Sequence, residues 1–375
     1  MDALMLPLNW QRVRLGDICE INPPTIIPNV FYYIDLENVE KGQLLNKQLM
    51  TKNKAPSRAR RLLSKNDILY QLVRPYQRNN YFFTLNGNYV ASTGYAQIRT
   101  LQNPSFLYFA LHSNYFVNAV LDRCEGTSYP AISSNELKKC EVILPPLNEQ
   151  SAIANILSGL DRYLCALDAL ILKKEGVKKA LSFELLSQRK RLKGFNQAWQ
   201  RVRLGDILSY EQPTKYLVAT TQYLQEGFTP ILTAGKTFIL GYTNDKHGIY
   251  TNIPVIIFDD FTTDSKMVNF PFKVKSSAIK ILILRDNNQA DLKYIYEKLT
   301  LLKHQVTDHK RYWIDEFSNF EIPLPPLNEQ SAIANILSGL DNEITSLKNK
   351  KRQFENIKKA LNHDLMSAKI RVLKK

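Results

Sequence analysis

The sequence has no apolar run near the ~20 residues that a helix needs to cross a bilayer. Its first ten residues carry an acid at Asp2 and too short an apolar stretch for a signal peptide. These absences exclude the usual membrane and secretory classes, and we expect a cytoplasmic protein.

Motifs for metal and cofactor chemistry are also missing. The four cysteines contain no C-x-x-C pair, which argues against a zinc site or a disulfide framework and favours buried free thiols. The five histidines show no H-E-x-x-H spacing, and no P-loop occurs. We therefore expect a non-catalytic chain that itself binds no metal and no cofactor.

Positive charge, by contrast, is abundant. The 50 lysines and arginines exceed the 35 acids, for a formal net charge of +15. Part of this excess belongs to a solvated, lysine-rich helix face at residues 173–179. So basic a chain favours an anionic partner, most commonly nucleic acid.

Two segments occur twice. Residues 144–161 read LPPLNEQSAIANILSGLD, and residues 324–341 repeat them at every position. Residues 10–18 read WQRVRLGDI, and residues 199–207 repeat these. Identity of this extent means that the chain is a tandem duplication.

Two inserts, residues 19–143 and 208–323, lie between the repeated segments and share almost no sequence. A constant framework around two different inserts indicates that the inserts discriminate between ligands. The sequence divides into four predicted parts: a first globular domain at 1–146, a helix at 147–193, a second globular domain at 194–326 and a second helix at 327–375.

Each long repeat predicts the start of a helix, Asn148–Leu192 in the first half and Asn328–Ile370 in the second. Two prolines precede each helix, the asparagine caps its first amides, and Glu149 or Glu329 suits the positive end of its dipole. Apolar residues recur every three or four positions, which is typical of helices that pair along their length: Leu157, Leu160, Leu164, Leu167, Ile171, Leu181 and Leu185 in the first helix, and Leu337, Leu340, Ile344, Leu347, Phe354, Leu361 and Leu365 in the second.

Antiparallel pairing of these two helices is the simplest arrangement, with two intermolecular coiled coils as the alternative. It predicts a pseudo-twofold molecule whose ends meet. By the repeat offsets, Lys375 would lie near Trp10 as Phe195 lies near Trp199.

The inserts are rich in Tyr, Val, Ile and Phe, and both predict one β-rich order of elements, so the fold class is α+β. In the first insert we expect strands at Val30–Leu36, Ile68–Arg74 and Tyr89–Arg99, a helix from Asn103, a loop at 125–130 and a strand at Cys140–Leu144. In the second we expect strands at Pro230–Leu232, Thr237–Leu240, Val255–Asp259 and Ser277–Arg285, a helix at Gln289–Lys303, a loop through Trp313 and a strand near Phe320.

Two short motifs offer other chemistry. Asn22-Pro23-Pro24-Thr25 is similar to the N-P-P-[FY] element with which adenine methyltransferases hold a flipped base, but Thr25 replaces the stacking aromatic and no F-x-G-x-G loop occurs. A proline turn is the simpler interpretation.

Asp259 and Asp260 would suit Mg²⁺, but no E-x-K partner follows, so we favour a carboxylate pair that accepts hydrogen bonds, conceivably from cytosine amino groups.

Side chains suited to reading DNA are better represented. Loops of both inserts carry cations with flat or hydroxylated side chains, which bind base edges and phosphates. In the first insert we predict DNA contacts from Arg58, Arg60, Arg61, Arg74, Tyr76, Arg78, Tyr95, Thr127, Ser128 and Tyr129. In the second we predict them from Thr233, Lys236, Thr237, Tyr242, Thr262, Thr263, Lys266, Lys310, Arg311 and Tyr312.

The L-P-P-L-x-E-Q-x-x-I-A-x-x-L-x-x-L-D pattern that closes both inserts resembles the specificity subunit of Type I restriction–modification systems. Gly126-Thr127-Ser128-Tyr129-Pro130 resembles the G-T-x-Y-P loop often found there. The second insert departs from the family, with His309-Lys310-Arg311-Tyr312-Trp313 at this place. The likeness covers nearly the whole chain.

This resemblance implies that the inserts are target recognition domains, each reading one half of a split DNA sequence. The helices would set the spacing and dock two modification subunits, which use S-adenosylmethionine to methylate adenine N6 after base flipping. Restriction subunits with ATP and Mg²⁺ would join the same assembly. A surface presented twice independently favours two copies of one partner, with contacts at Asn148, Glu149, Gln150, Asn328, Glu329 and Gln330.

Two other classes of function stay open. A self-sufficient methyltransferase would modify DNA without a partner. A structural coiled-coil protein with ligand-binding heads would associate independently of salt and leave no footprint on DNA.

Overall fold

The computed structural model describes residues 6–233, 235, 237–302 and 311–373. The chain forms two compact units, residues 1–168 with 349–375 and residues 169–348. Each unit therefore contains one insert and parts of both long helices. The sequence predicts instead a division into four parts with boundaries near the starts and ends of the long helices. That division stays a prediction.

Both long repeats fold as helices of 40 residues. Each begins one residue earlier than predicted and ends a few residues sooner, because Gln188 (φ 62°) and Ala368 (φ 57°) turn the chain into the left-handed region. The helices are α1 Leu15–Ile18, α2 Pro104–Ala110, α3 Asn114–Leu121, α4 Ser134–Lys139, α5 Leu147–Leu186, α6 Leu204–Ile207, α7 Leu292–Leu301, α8 Tyr312–Asp315 and α9 Leu327–Met366.

The strands are short, with two to six residues each. In the first unit they are β1 Gln11–Arg14, β2 Cys19–Ile21, β3 Val30–Ile34, β4 Val39–Glu40, β5 Gln43–Leu44, β6 Gln48–Thr51, β7 Ala59–Leu62, β8 Ile68–Gln71, β9 Tyr81–Phe82, β10 Tyr89–Ser92, β11 Tyr95–Thr100 and β12 Glu141–Leu144. In the second they are β13 Gln200–Arg203, β14 Leu208–Glu211, β15 Thr229–Leu232, β16 Ile239–Thr243, β17 Val255–Asp259, β18 Ser265–Val268, β19 Lys273–Val274, β20 Ile279–Leu284 and β21 Glu321–Leu324.

The repeated entry segment closes each insert. In the first unit β1 pairs antiparallel with β12, with Gln11 opposite Leu144. In the second β13 pairs with β21 in the equivalent register, with Gln200 opposite Leu324. The strand that enters an insert thus lies beside the strand that leaves it, directly before the long helix.

The two inserts share a sheet order, except that β7 of the first insert has no counterpart in the second. The first has sheets in the orders β6-β3-β10-β7 and β2-β11-β8-β9, and the second has β16-β15-β19 and β14-β20-β17-β18. In both, the first of these sheets contains a parallel pair, β3 with β10 and β15 with β19. Each half is therefore an α+β unit, and the two have a similar layout.

Several predicted elements differ in extent. The single strand expected over Tyr89–Arg99 is two strands, because the chain turns at residues 93–94 and passes from one sheet to the other. The helix expected from Asn103 is likewise broken, and the Ser113 hydroxyl caps the second piece by accepting from the Phe116 amide. The loop expected through Trp313 contains the short helix α8.

Within each unit, parts of the two long helices run antiparallel. In the first unit Asp161 pairs with Lys358, and Asp168 pairs with Lys351 at 2.6 Å, so residue numbers rise on α5 as they fall on α9. The second unit has the matching pairs Lys178–Asp341 at 2.6 Å, Lys174–Glu343 at 2.8 Å and Lys348–Glu175 at 2.6 Å. The fourteen apolar residues predicted to line the paired helices are all buried or half-buried.

The cysteines are free thiols, but only Cys140 is fully buried, and Cys165 is exposed on α5, contrary to the expectation for all four. Burial raises the pKa of the Cys19 thiol to about 12. In the ranges described, no helix has both the length and the apolarity to cross a membrane.

Candidate nucleic-acid interface

The structure brings Arg74 together with the loop at 125–130. The Arg74 amide donates to the Pro130 carbonyl at 2.7 Å, and its guanidinium lies 4.2 Å from the centre of the Tyr129 ring. Tyr129 is 62% exposed, and Thr127 and Ser128 beside it are exposed. Arg74, Thr127, Ser128 and Tyr129, named here the Arg74 surface, therefore form a contiguous patch with a cation, an aromatic face and two hydroxyls.

The turn after Arg74 is held in an unfavourable backbone conformation. Arg74 (φ 54°) and Arg78 (φ 55°) are left-handed residues that flank the 3₁₀ turn Pro75–Gln77 and expose Tyr76 at 50%. Such conformations cost free energy and persist where surrounding contacts hold them, often at functional sites. The Arg78 guanidinium supplies one such contact, because it donates to the His112 carbonyl and the Asn114 side chain, both at 2.8 Å. Arg78 thus supports the turn and is less available for DNA than predicted.

His112, at the break between α2 and α3, is enclosed beside this turn. Its Nδ1 lies 2.7 Å from the Tyr108 carbonyl, which assigns the proton to that nitrogen, and its Nε2 lies 3.4 Å from the Asn80 amide. Burial, reinforced by the cations of Lys358 and Arg78, lowers the pKa of His112 to about 4. His112 is therefore neutral in the folded protein at pH 7.

This burial predicts an acid-sensitive first unit. Below its unfolded pKa near 6.5, His112 binds a proton when the chain is unfolded but not when it is folded. Its contribution is therefore complete above about pH 6.5 and is lost as the pH falls towards 4, by up to ~3 kcal/mol. Urea unfolding of His112→Asn should show a pH dependence flatter than wild type by about this amount. An equal slope in the variant, or an equal flattening in His363→Asn on the exposed face of α9, would contradict the assignment.

The arginines before and within β7 differ in their partners. Arg58 pairs with Asp35 and donates to the Tyr33 hydroxyl at 3.3 Å, so its charge is partly compensated. Arg60 and Arg61 have no acidic partner in the described part of the chain, and Arg60 is exposed while Arg61 is half-buried. These two keep the free positive charge that a DNA contact needs.

Two predicted DNA contacts are wrong. Tyr95 is 0% exposed on β11 and packs with Phe83 and Tyr89 in a core cluster. Tyr312 is also 0% exposed and packs, with Trp313, in the main core of the second unit. Neither ring reaches the surface, because residues 95–98 of β11 are buried on both faces and Tyr312 and Trp313 of α8 are both buried.

The remaining candidates of the second insert lie mainly on two hairpins. Thr233 and Thr237 flank the β15–β16 turn, and Thr262 and Thr263 lie in the β17–β18 turn. Thr237, Thr262 and Arg311 are exposed; Thr233, Tyr242, Thr263 and Lys266 are half-buried. The predicted contacts Lys236 and Lys310 lie outside the described residues.

The acidic pair at the β17–β18 turn has structural partners. Asp259 Oδ1 accepts from the amides of Phe261 and Thr262, at 2.8 and 3.1 Å, and so shapes the turn. Asp260 is buried, pairs with Lys280 at 2.8 Å and accepts from the Trp313 amide. The pair accepts hydrogen bonds as predicted, but from the chain itself, so the expected contact with cytosine is wrong for Asp260.

The predicted partner contacts at the helix starts need correction. Glu149, Gln150, Glu329 and Gln330 are at most 2% exposed, so their side chains cannot meet another subunit. Asn148 and Asn328 are exposed, and each accepts from the next residue's amide, as predicted for a cap. Only these two asparagines stay as predicted partner contacts.

The buried glutamates instead anchor each helix start. Glu149 accepts from Trp10 Nε1 at 3.0 Å and from the Arg371 guanidinium at 2.7 and 2.8 Å. In the second unit Glu329 accepts from Trp199 at 3.0 Å and from Arg191 at 3.1 and 2.6 Å. We call each trio a carboxylate clasp. The sequence signal for it was the pair of tryptophans, repeated at an offset of 189, and the pair of arginines, repeated at the 180-residue offset of the glutamates.

The first clasp connects the segment after α9 with the entry segment at Trp10, where the chain ends are predicted to meet. Arg371 lies 5.9 Å from the Trp10 ring, and Val372 packs in the same cluster. The segment after α9 therefore lies against the entry segment. Lys375, for which the prediction was made, lies outside the described residues.

Comparison with known proteins follows the two halves. A family model described as the Type I restriction modification DNA specificity domain matches residues 7–174 and again 196–356. The specificity subunit of the Escherichia coli Type I restriction enzyme EcoR124I/EcoR124II is 51% identical over 150 residues, which are 39% of this chain and 37% of that protein. This chain thus spans well under two thirds of that relative's length.

Two further relatives extend over the whole chain. The MjaVIII specificity subunit of Methanocaldococcus jannaschii is 23% identical, over 99% of this chain and 95% of that protein. The crystal structure of a Type I restriction–modification S subunit from M. genitalium has a similar fold, with a TM-score of 0.66 at 18% identity, covering 96% of this chain and 98% of that one.

The two family matches together cover most of the sequence, and each begins before one repeated entry segment and ends within one long helix. The chain therefore belongs to the Type I restriction–modification DNA specificity family.

Proposed function

We propose that this chain is the non-catalytic DNA-recognition subunit of a Type I restriction–modification complex. The observation that carries the proposal is the family match over both halves, since each matched half contains an insert with cations and hydroxyls on exposed turns. Each insert reads one half of a bipartite target. In the first, the Arg74 surface contacts the half-site.

The two long helices act as the spacer between the half-sites. We propose that they form an antiparallel coiled coil and that the two halves are related by a pseudo-twofold. The opposed residue numbering of the helix pairs in each unit, and the equivalent clasps at Glu149 and Glu329, support this arrangement. The distance along the helices would then set the length of DNA left unread.

Two modification subunits bind the repeated framework, with Asn148 and Asn328 among the contacts. They bring S-adenosylmethionine and methylate adenine, whereas restriction subunits bring ATP and Mg²⁺ chemistry. A methyltransferase role for this chain itself has less support, because Asn22 is engaged structurally. Its side chain donates to Ser134 Oγ at 2.9 Å and accepts from the Gln97 amide at 3.0 Å, as in a supporting turn.

Binding to DNA should be strongly dependent on salt, and Arg74 should contribute specificity. We expect Arg74→Ala, in the assembled complex, to weaken binding of the preferred duplex by ~1–3 kcal/mol and to relax discrimination at one base pair. Fluorescence anisotropy over a salt series, with every single-base variant of the duplex, measures both effects.

Lys139→Ala is the control for loss of charge, since Lys139 is held by Glu136 at 2.5 Å and lies outside the Arg74 surface. Salt-independent binding would contradict the proposed function. If Arg74→Ala loses the same affinity for all sequences, Arg74 contacts a phosphate. If Arg74→Ala keeps full affinity, Arg74 is not part of the interface.

A further inference from the structure

The turn at Asn22–Thr25 has no part in the recognition described so far, yet it lines a cleft of about 480 Å³ in the first unit. Thr25 of this turn lines the cleft together with Lys52, Ser57 and the β7 residues Arg60 and Arg61. The cleft therefore joins a proline turn to the two uncompensated arginines.

The cleft is positively charged. Its lining contains three cations, Lys52, Arg60 and Arg61, and no carboxylate. Arg58, next to them in sequence, is taken by Asp35. Among the residues that the structure describes, no acid forms an ion pair with the three lining cations, so their field points into the cleft.

Two buried donors in the cleft lack partners within the chain. The Arg61 Nε–H group and the Thr25 hydroxyl are both inaccessible and make no hydrogen bond. Leaving a buried donor unpaired is costly, so such groups are uncommon unless something else satisfies them. Burial and the neighbouring Arg60 also lower the pKa of Arg61, which shows how poorly this guanidinium is solvated. An anion in the cleft would compensate the charge, and rotation of the two side chains would bring both donors to it.

A backbone phosphate fits this cleft better than a base does. Bases in a duplex are read by side chains that project into the grooves, whereas a concave cleft receives a group that projects from the DNA. Phosphate oxygens are acceptors only and match a lining of guanidinium, ammonium and hydroxyl donors. Phe31, the aromatic residue in the lining, is 1% exposed and offers no face for stacking a base.

We propose that the Thr25–Arg61 cleft seats one backbone phosphate of the DNA bound by the first recognition domain. This inference rests on the proposed function and adds to it a fixed anchor that orients the domain without reading sequence. The anchor belongs to the first unit. In the second unit the edge of β19, the counterpart of β10, is bridged by Leu217 instead of by an arginine-bearing strand.

The test uses the assembled complex and its preferred duplex, with single phosphates replaced in turn by uncharged methylphosphonates. For the wild-type chain, one position beside the first half-site should weaken binding by roughly tenfold or more when neutralised. Arg61→Gln should weaken binding of the unmodified duplex to a similar extent for all sequences, and should lower the log–log salt slope by ~0.9. At that one position, the methylphosphonate should reduce the affinity of the Arg61→Gln complex little or not at all.

Thr25→Val removes the hydroxyl at constant shape. When the same phosphate is neutralised, this variant should lose less affinity than wild type does. It replaces Arg61→Gln as the test if that variant does not fold. Lys139→Ala should keep the wild-type methylphosphonate profile. Two results overturn the cleft as a phosphate site when the wild-type complex binds its target specifically. In one, Arg61→Gln has the same salt slope as wild type. In the other, Arg61→Gln shows the full additional loss of affinity at every methylphosphonate position. Relaxed discrimination at one base pair in Arg61→Gln would overturn it in favour of base reading. If the wild-type complex prefers no sequence, the proposed function fails first, and the anchor fails with it.

Discussion

Replacing residues 19–143 with the first insert of another specificity subunit will change one half of the recognised sequence and leave the other half unchanged. The constant ladder of β1 with β12 brackets this insert, with Gln11 opposite Leu144, so a graft joins the framework at a fixed place. Affinity for the old composite site should fall on the order of a thousandfold, the lower end of the usual gap between specific and non-specific DNA binding. Sequencing of methylated adenines, in cells that express the chimera with its modification subunit, reads both halves at once.

The reciprocal exchange of residues 208–323 is the matched control, because β13 and β21 bracket the second insert in the equivalent register. It should change the other half-site only. A chimera in which one exchange altered both half-sites would show that recognition is shared between the inserts and would contradict modular reading.

Arg371→Ala should lower the free energy of unfolding clearly more than Lys139→Ala does, a large effect for a residue beyond the last helix. The substitution leaves the Glu149 carboxylate, 2% exposed, with only the Trp10 N–H as a partner in the clasp. Breaking a buried ion pair from one side is costly because the remaining charge stays desolvated. Arg191→Ala should cost a similar amount in the second unit, where Glu329 is fully buried. Chemical denaturation followed by tryptophan fluorescence measures the change.

A double variant separates the buried charge from lost packing. Arg371→Met with Glu149→Gln should be more stable than Arg371→Ala alone, because no uncompensated charge remains in the core. Lys139→Ala, at an exposed pair, should cost less than ~1 kcal/mol. If Arg371→Ala costs no more than Lys139→Ala, the clasp is not a stabilising contact.

The elements that the sequence predicted best are those with a strong local signal. Val255–Asp259 is an apolar run of β-branched and aromatic residues, and its strand bounds are as predicted. The long helices were placed to within one residue at their starts, because a Pro-Pro pair followed by a capping asparagine is a local pattern. Their ends were predicted too late, since the left-handed turns at Gln188 and Ala368 involve residues without turn propensity.

The site residues were harder to predict, because exposure depends on contacts remote in sequence. Tyr95 lies in a strand that pairs with β8 and β2 and is buried on both faces over residues 95–98, and aromatic composition alone did not reveal that burial. The helix-start pattern predicts a surface position for Glu149, but its partner Arg371 lies 222 positions away. The cleft was missed for the same reason, since Thr25 and Arg61 meet only in the folded insert.

The central claim is that the two inserts read two separated half-sites. In the most direct measurement, the chain assembled with its modification subunit captures duplexes from a pool of random sequences. The bound duplexes are then sequenced. The account predicts two short motifs separated by a gap of constant length and random composition. One continuous motif, or an enriched pool with no shared sequence, would contradict it.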